Sequence, residues 1–192
     1  MRRFFGSLLF LVLFASPAGA SDPVQVAQFF FGELVSLSTI PDLNKREEKV
    51  GSLVQDHFAF YPFYKKALLD HWDGWTDSQR REFDHLFQRR FKDHLARHLD
   101  RVDRLARQKA RYEVRPDGHG RVVVAAKGRV DGDEVTIRIY LVRAAKGWQV
   151  YDLDVAGALL SRNYRGRFDY LIQEGGYEGL VEELMTTRPA AS

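Results

Sequence analysis

The chain has 192 residues, no cysteine and a formal charge of +3, and its 14 phenylalanines raise the aromatic share to 13%. The lack of cysteine excludes disulfides, thiolate metal sites and the cysteine-borne lipid anchor of bacterial lipoproteins. Arg2 and Arg3 supply two of the net charges, so the remainder is nearly neutral and points only weakly to a polyanionic partner.

Arg2-Arg3, an apolar run over residues 4–14 and the small-x-small end Ala18-Gly19-Ala20 form the three parts of a secretory signal peptide. The run is shorter than a membrane span requires. Cleavage is expected after Ala20, giving a signal peptide over 1–20, one domain over 21–187 and a flexible tail over 188–192. Export argues against a nucleic-acid partner.

Helices are expected first. Asp22-Pro23 suits a helix start, with a capping carboxylate and proline at the first helical position. Ala27, Phe30, Phe31, Leu34 and Val35 recur at the spacing of one buried face, and Pro41 closes the segment. A second helix is expected over 46–57, with Val50, Leu53, Val54 and Phe58 on one side. A third is expected over 62–72, ended by Asp73-Gly74. Thr76-Asp77-Ser78-Gln79 reads as a capping box. Phe83, Leu86, Phe87, Phe91, Leu95, Leu99, Val102 and Leu105 follow in steps of three and four, which predicts a helix roughly 45 Å long with a kink near its end.

After Ala110 the period changes to two. Strands are expected over 111–115, 121–130, 134–142 and 148–155, separated by Pro116-Asp117-Gly118, Asp131-Gly132-Asp133 and Ala144-Ala145-Lys146-Gly147. Connections this short make antiparallel neighbours. Val135, Ile137, Ile139 and Leu141 share one face of their strand, and Thr136, Arg138 and Tyr140 the other. Ala156-Gly157 is expected to end the sheet. Leu159, Leu160, Tyr164, Phe168, Leu171 and Ile172 then outline a helix that Gly175-Gly176 breaks, and Leu180, Leu184 and Met185 a last short one. Helices segregated from an antiparallel sheet make an α+β domain.

Several clusters could carry chemistry. His94 and His98 stand four apart with His85 near the same stripe, but the third ligand and the adjacent Glu of zinc-protease chemistry are missing. Asp152 and Asp154 share a strand face and are candidates for an acid–base pair, although no nucleophile stands near them in sequence. Residues 89–111 carry nine Lys/Arg against three Asp. Asp93/Arg97, Asp100/Arg104 and Asp103/Arg107 are acid-first pairs at helical spacing, so this stretch reads as a solvated face, with a surface for anionic lipid heads or an acidic partner as the alternative. Phe58, Phe60, Tyr61, Phe63 and Tyr64 put five rings into seven residues, either as core or as the wall of an apolar pocket. No Gly-rich phosphate loop, Gly-x-Ser-x-Gly elbow or His-Glu-x-x-His motif is present.

The carboxy-terminal third contains Trp148-Gln149-Val150-Tyr151-Asp152-Leu153-Asp154-Val155-Ala156-Gly157, then Asn163-Tyr164-Arg165-x-x-Phe168, then Gly175 with Gly179-Leu180. The middle contains Trp72-x-x-x-Thr76-x-x-Gln79-Arg80-x-x-Phe83-x-x-x-Phe87. With the leader, these stretches resemble the MlaC-type, or toluene-tolerance, family of periplasmic phospholipid-binding proteins over nearly the whole chain after the leader. Leu69 stands where that family usually has Gly, Arg167 where it usually has Gln, and Ala156-Gly157-Ala158-Leu159-Leu160-Ser161 where Glu-Gly-Val-Ser-Leu-Val is usual.

The resemblance implies a curved antiparallel sheet of the nuclear-transport-factor-two-like (cystatin-like) kind, with a helical subdomain enclosing an apolar pocket. It implies a monomeric, soluble periplasmic lipid shuttle without enzymatic activity, metal or cofactor, whose ligand is a phospholipid. The partners it implies are an inner-membrane ABC transporter with an MCE-type protein and an outer-membrane lipoprotein complex, in a system that maintains outer-membrane lipid asymmetry. Candidate lining residues are Phe87, Phe91, Leu95, Val124, Ile137, Ile139, Tyr151, Leu160, Tyr164 and Phe168. Arg165 is a candidate phosphate contact at the mouth or a structural ion-pair partner. Deep enclosure is expected, because two acyl chains hold roughly 30 methylenes worth about 0.8 kcal/mol each. The other readings are a carrier of another lipid such as a hopanoid, a curved-sheet enzyme using Asp152 and Asp154, and a non-binding adaptor whose pocket is filled by its own side chains.

Overall fold

A computed structural model describes residues 22–99, 111–130 and 133–186. The leader, the stretch 100–110 with Val102, Leu105, Asp100 and Asp103, the turn residues Asp131 and Gly132, and the tail lie outside the described residues.

Helix α1 (Pro23–Ser38) starts where expected. The Asp22 carboxylate accepts from the Val24 amide at 2.9 Å, and Pro23 takes a position whose amide would lack a partner in any case. Ala27, Phe30, Leu34 and Leu37 form its buried stripe. Helix α2 (Leu43–His57) begins before its apolar stripe does, because Asp42 caps it through the Lys45 amide at 3.0 Å. Helix α3 (Phe60–Leu68) also begins early, with Pro62 in the first turn, where a missing amide costs nothing. The single helix expected through Trp72 is broken at Leu69, whose φ of 48° and ψ of −127° is backbone space that glycine enters more readily. Helix α4 (Asp70–Gly74) follows.

Helix α5 (Asp77–Arg97) carries the full capping box: the Thr76 hydroxyl accepts from the Gln79 amide, and the Gln79 side chain accepts from the Thr76 amide at 2.9 Å. It runs about 31 Å, and the expected continuation through Val102 and Leu105 lies outside the described residues. His98 leaves helical geometry, its amide donates to the Leu95 carbonyl at 3.2 Å, and its ring nitrogen Nδ1 sits 2.8 Å from the His94 carbonyl that the amide would otherwise have bonded.

Five antiparallel strands pair in chain order: β1 (Arg111–Pro116), β2 (Arg121–Val130), β3 (Asp133–Ala144), β4 (Gly147–Val155) and β5 (Ala158–Leu159). The fold is α+β, with an open five-stranded sheet packed on helices. The pairing sets Tyr112, Ala126 and Ile137 in one row facing the helices, Val124, Ile139 and Leu153 in the next with the exposed Val114 at its edge, and Val122, Leu141 and Val150 in a third. The opposite face carries Glu113, Arg115, Lys127, Arg138 and Asp154. Ala156-Gly157 does not end the sheet. Both residues take positive φ, 52° and 88°, and turn the chain into β5.

The β3–β4 register shifts between Tyr140 and Leu141, which pair with Asp152 and Val150 and leave Tyr151 as the extra residue of a bulge. At the same place the Ala59 amide donates to the Val150 carbonyl at 2.7 Å, joining the α2–α3 connection to the sheet.

Helix α6 (Leu160–Thr186) follows β5 directly. It is two helical halves joined at Gly176, where φ of 66° and ψ of −159° interrupt the helix at the expected glycine pair. The first half packs on α3, and Tyr177 at the start of the second half donates its hydroxyl to the Gln79 carbonyl of α5 at 2.9 Å.

Candidate functional site

A cleft of about 410 Å³ lies between α5 and the two halves of α6. Helix α5 contributes Phe87, Arg90 and His94, one stripe at helical spacing. The first half of α6 contributes Leu160, Asn163, Tyr164, Arg167, Phe168 and Leu171, and the second half Glu183 and Leu184. The volume falls in the usual range for small-molecule sites.

The cleft has an apolar floor and a polar rim. Phe87 and Phe168 are fully buried, and Tyr164 stands edge-on to Phe87 with ring centroids 5.1 Å apart. Beneath the floor an aromatic column fills the space between helices and sheet: Phe83, Phe87 and Phe63 stack, with interplanar angles of 8° and 22°, and Phe60 and Phe91 close around them. Burial pushes the Tyr164 hydroxyl up to about 12, partly offset by the Arg90 guanidinium. On the rim, Arg167 and Glu183 form an ion pair of 2.5 Å across the Gly176 break.

Four candidates read from the sequence, Phe87, Leu160, Tyr164 and Phe168, come together in this cleft. Phe91, Val124, Ile137 and Ile139 belong to the core between helices and sheet, and Leu95 packs against it. Tyr151 does not face the helices as strand alternation implies. The bulge turns it to the side of Tyr140, with centroids 6.1 Å apart, and its hydroxyl donates to Asp117 at 2.7 Å. Arg165 lies outside the cleft. Its Nε and a terminal nitrogen donate to the Lys66 carbonyl at 3.0 and 2.5 Å, which caps one of the unpaired carbonyls at the end of α3.

The two aspartates have structural duties. Asp152 is fully buried: one carboxylate oxygen accepts from the Leu153 and Ser161 amides at 3.0 and 3.1 Å, and the other from the Ser161 hydroxyl at 2.6 Å and the Lys66 ammonium at 2.9 Å. It therefore caps the amino end of α6 from a neighbouring strand and ties that end to α3. Lys66 sits over the Tyr140 and Tyr151 rings, 4.7 and 5.3 Å from their centroids. Asp154 accepts from the Gly157 amide at 2.7 Å and pairs with Arg138 at 3.2 Å, which braces the turn into β5. His94 and His98 stack at 4.2 Å, and among the described residues no group of three His, Cys, Asp or Glu could hold a metal ion.

Sequence reasoning missed Arg90, His94, Asn163, Arg167, Leu171, Glu183 and Leu184 as cleft residues. Arg90 lies three positions beyond Phe87, and Asn163 and Arg167 flank the Leu160–Tyr164–Phe168 stripe, so helical spacing carried that signal. Glu183 and Leu184 reach the cleft only because the chain turns back at Gly176, and no periodicity encodes that.

No curated protein matches this sequence. The fold is similar to the solved structure of a phospholipid-binding protein from Ralstonia solanacearum in complex with a phospholipid, with a TM-score of 0.63 and 25% identity over 86% of this chain and 96% of that one. The family described as MlaC protein matches residues 30–186, which takes in α5, the sheet and both halves of α6. The chain therefore belongs to the MlaC family.

Proposed function

We propose that this protein is a periplasmic phospholipid carrier that receives an acyl tail in the α5–α6 cleft and moves lipid between outer- and inner-membrane complexes of an ABC transport system. The observation that carries the reading is the cleft itself, an aromatic and aliphatic floor under a rim of Arg90, Asn163, Arg167 and Glu183. Family membership and the phospholipid held by the Ralstonia protein support it. No covalent chemistry is needed, and the carboxylates that could supply it are committed to caps and ion pairs.

Capacity sets the next constraint. A methylene is close in size to a water molecule, whose share of liquid volume is roughly 30 Å³, so the cleft admits about 14 methylenes, or one acyl chain. Their complete burial is worth roughly 11 kcal/mol, an upper bound for a cleft that stands open on one side. A second tail requires the aromatic column to part, and the break at Gly176 gives α6 a place to pivot away from α5.

The test is native mass spectrometry of the chain expressed with its leader and purified from periplasmic extract without detergent. The expected spectrum shows a phospholipid mass on the protein. Empty protein that also fails to extract lipid from phosphatidylglycerol vesicles would sink the proposal, and a neutral polycyclic ligand would replace it with the hopanoid reading.

A further inference from the structure

We infer that Arg167 reads the phosphate of the lipid headgroup, and that Glu183 holds the place of that phosphate while the cleft is empty. The inference rests on the carrier reading above and names the group that gives the cleft its headgroup selectivity.

Three observations support it. Arg167 and Glu183 line the same cleft from opposite halves of α6, and their 2.5 Å contact is the polar closure over an apolar floor of Tyr164, Phe168, Leu171 and Leu184. A tail lying on that floor brings the phosphate of its own lipid to the rim, because only the glycerol backbone and one ester link separate the phosphate from the first acyl methylene. Second, the guanidinium is open to exchange: the Arg167 side chain is 55% exposed and that of Glu183 33%. Exposed ion pairs are worth about 1 kcal/mol or less, so a competing anion displaces the carboxylate at little cost. Carboxylate and phosphate offer the same two-oxygen face to a guanidinium, so either can occupy the one fork. Third, a second guanidinium faces the cleft from α5. Arg90 pairs with Asp93 at 3.7 Å, and Asp93 is held more closely by Arg97 at 2.7 Å.

The exchange also couples binding to shape. The Arg167–Glu183 pair bridges Gly176, so a phosphate that takes Arg167 releases the strut between the two halves of α6 at the moment the floor must widen.

A binding series separates this role from a structural one. Wild type, Arg167→Gln, Arg167→Lys and Glu183→Gln are titrated with dioctanoyl phosphatidylglycerol, with dioctanoylglycerol, which lacks the phosphate, and with inorganic phosphate, which lacks the tails. Melting curves check that each variant folds. Arg167→Gln should weaken phosphatidylglycerol binding about tenfold, the worth of one charge-assisted contact, and leave dioctanoylglycerol within twofold. Arg167→Lys should restore part of the loss, since the ammonium keeps the charge and lacks the fork. Glu183→Gln should strengthen phosphatidylglycerol binding several-fold, because it removes the competitor. A merely structural ion pair predicts the opposite for Glu183→Gln, with both variants weakening both lipids alike, and that result overturns the inference. Inorganic phosphate binding as tightly as phosphatidylglycerol also overturns it, since the site would then be an anion site without lipid. Wild type that takes neither lipid refutes the carrier reading itself, and the inference falls with it.

Discussion

Removing the Asp152 carboxylate should cost this fold more than any other single polar change. Asp152→Ala leaves the Ser161 amide, the Ser161 hydroxyl and the Lys66 ammonium without their acceptor at a fully enclosed position. Breaking a buried pair by removing one partner costs about 3–5 kcal/mol. At roughly 3 °C per kcal/mol for a domain of this size, Tm should fall by about 9–15 °C. Asp152→Asn keeps an oxygen for the two amides but gives up the charge opposite Lys66, so about 2 kcal/mol is expected. The sharper assay is a double-mutant cycle with Lys66→Met in urea. Lys66 is 28% exposed and retains contact with Tyr140 and Tyr151, so a coupling of about 1.5–3 kcal/mol is expected. A coupling below about 0.5 kcal/mol would refute the assignment of Asp152 as the joint between α3, β4 and α6. An Asp152→Asn variant of unchanged stability that lost a catalytic turnover would instead support the enzyme reading.

Two further predictions concern backbone strain and pH. Leu69→Gly should stabilise the protein by about 1 kcal/mol: relief of a strained non-glycine conformation is worth about 1–3 kcal/mol, against about 0.5–1 for the added chain entropy of glycine. Leu69 is 45% exposed and gives up little burial, so a lowered Tm would show that its side chain makes a contact of its own. Tyr164 is protonated more tightly in the folded chain, with its hydroxyl pushed up to about 12 from an ordinary value of 10. Its contribution is complete below pH 10 and is lost as pH rises toward 12, about 3 kcal/mol in all. Tyr164→Phe should flatten that part of the stability–pH profile. An unchanged slope in the variant would assign the alkaline loss to other groups.

How far the sequence could be read depended on whether each feature is built from neighbours in the chain. The capping box at Thr76 and Gln79, the Asp22 cap and the break at Gly176 all involve residues within one turn of each other. Their chemistry is local, and so is the change of period at Arg111. The start of α2 was hidden because Asp42 caps it ahead of any apolar repeat. The break at Leu69 was hidden because leucine does not advertise a positive φ, and family resemblance alone marked that position as one where glycine is usual. The end of α5 depended on the His98 ring taking over a carbonyl, a choice that the run of apolar residues through Leu105 does not express.

The candidate site divides along the same line. Phe87, Leu160, Tyr164 and Phe168 were legible because each lies on a helical stripe whose apolar side must be buried. Tyr151 followed strand alternation in the sequence and breaks it in the fold, since a single bulged residue reverses its facing. Arg165 and Arg167 are two residues apart on one helix, which sends one to the α3 terminus and the other to the cleft rim. By itself the sequence determined the longer elements, their order and their apolar faces, though not the separate α4, β5 or the bulge at Tyr151, because caps, turns and periodicity act over a few residues. The tertiary structure alone decided that the two halves of α6 fold back over α5, that Glu183 meets Arg167 across Gly176, and that a buried aspartate on a strand caps a helix nine residues further on. Those contacts join residues whose separation along the chain carries no energetic signal until the core has brought them together.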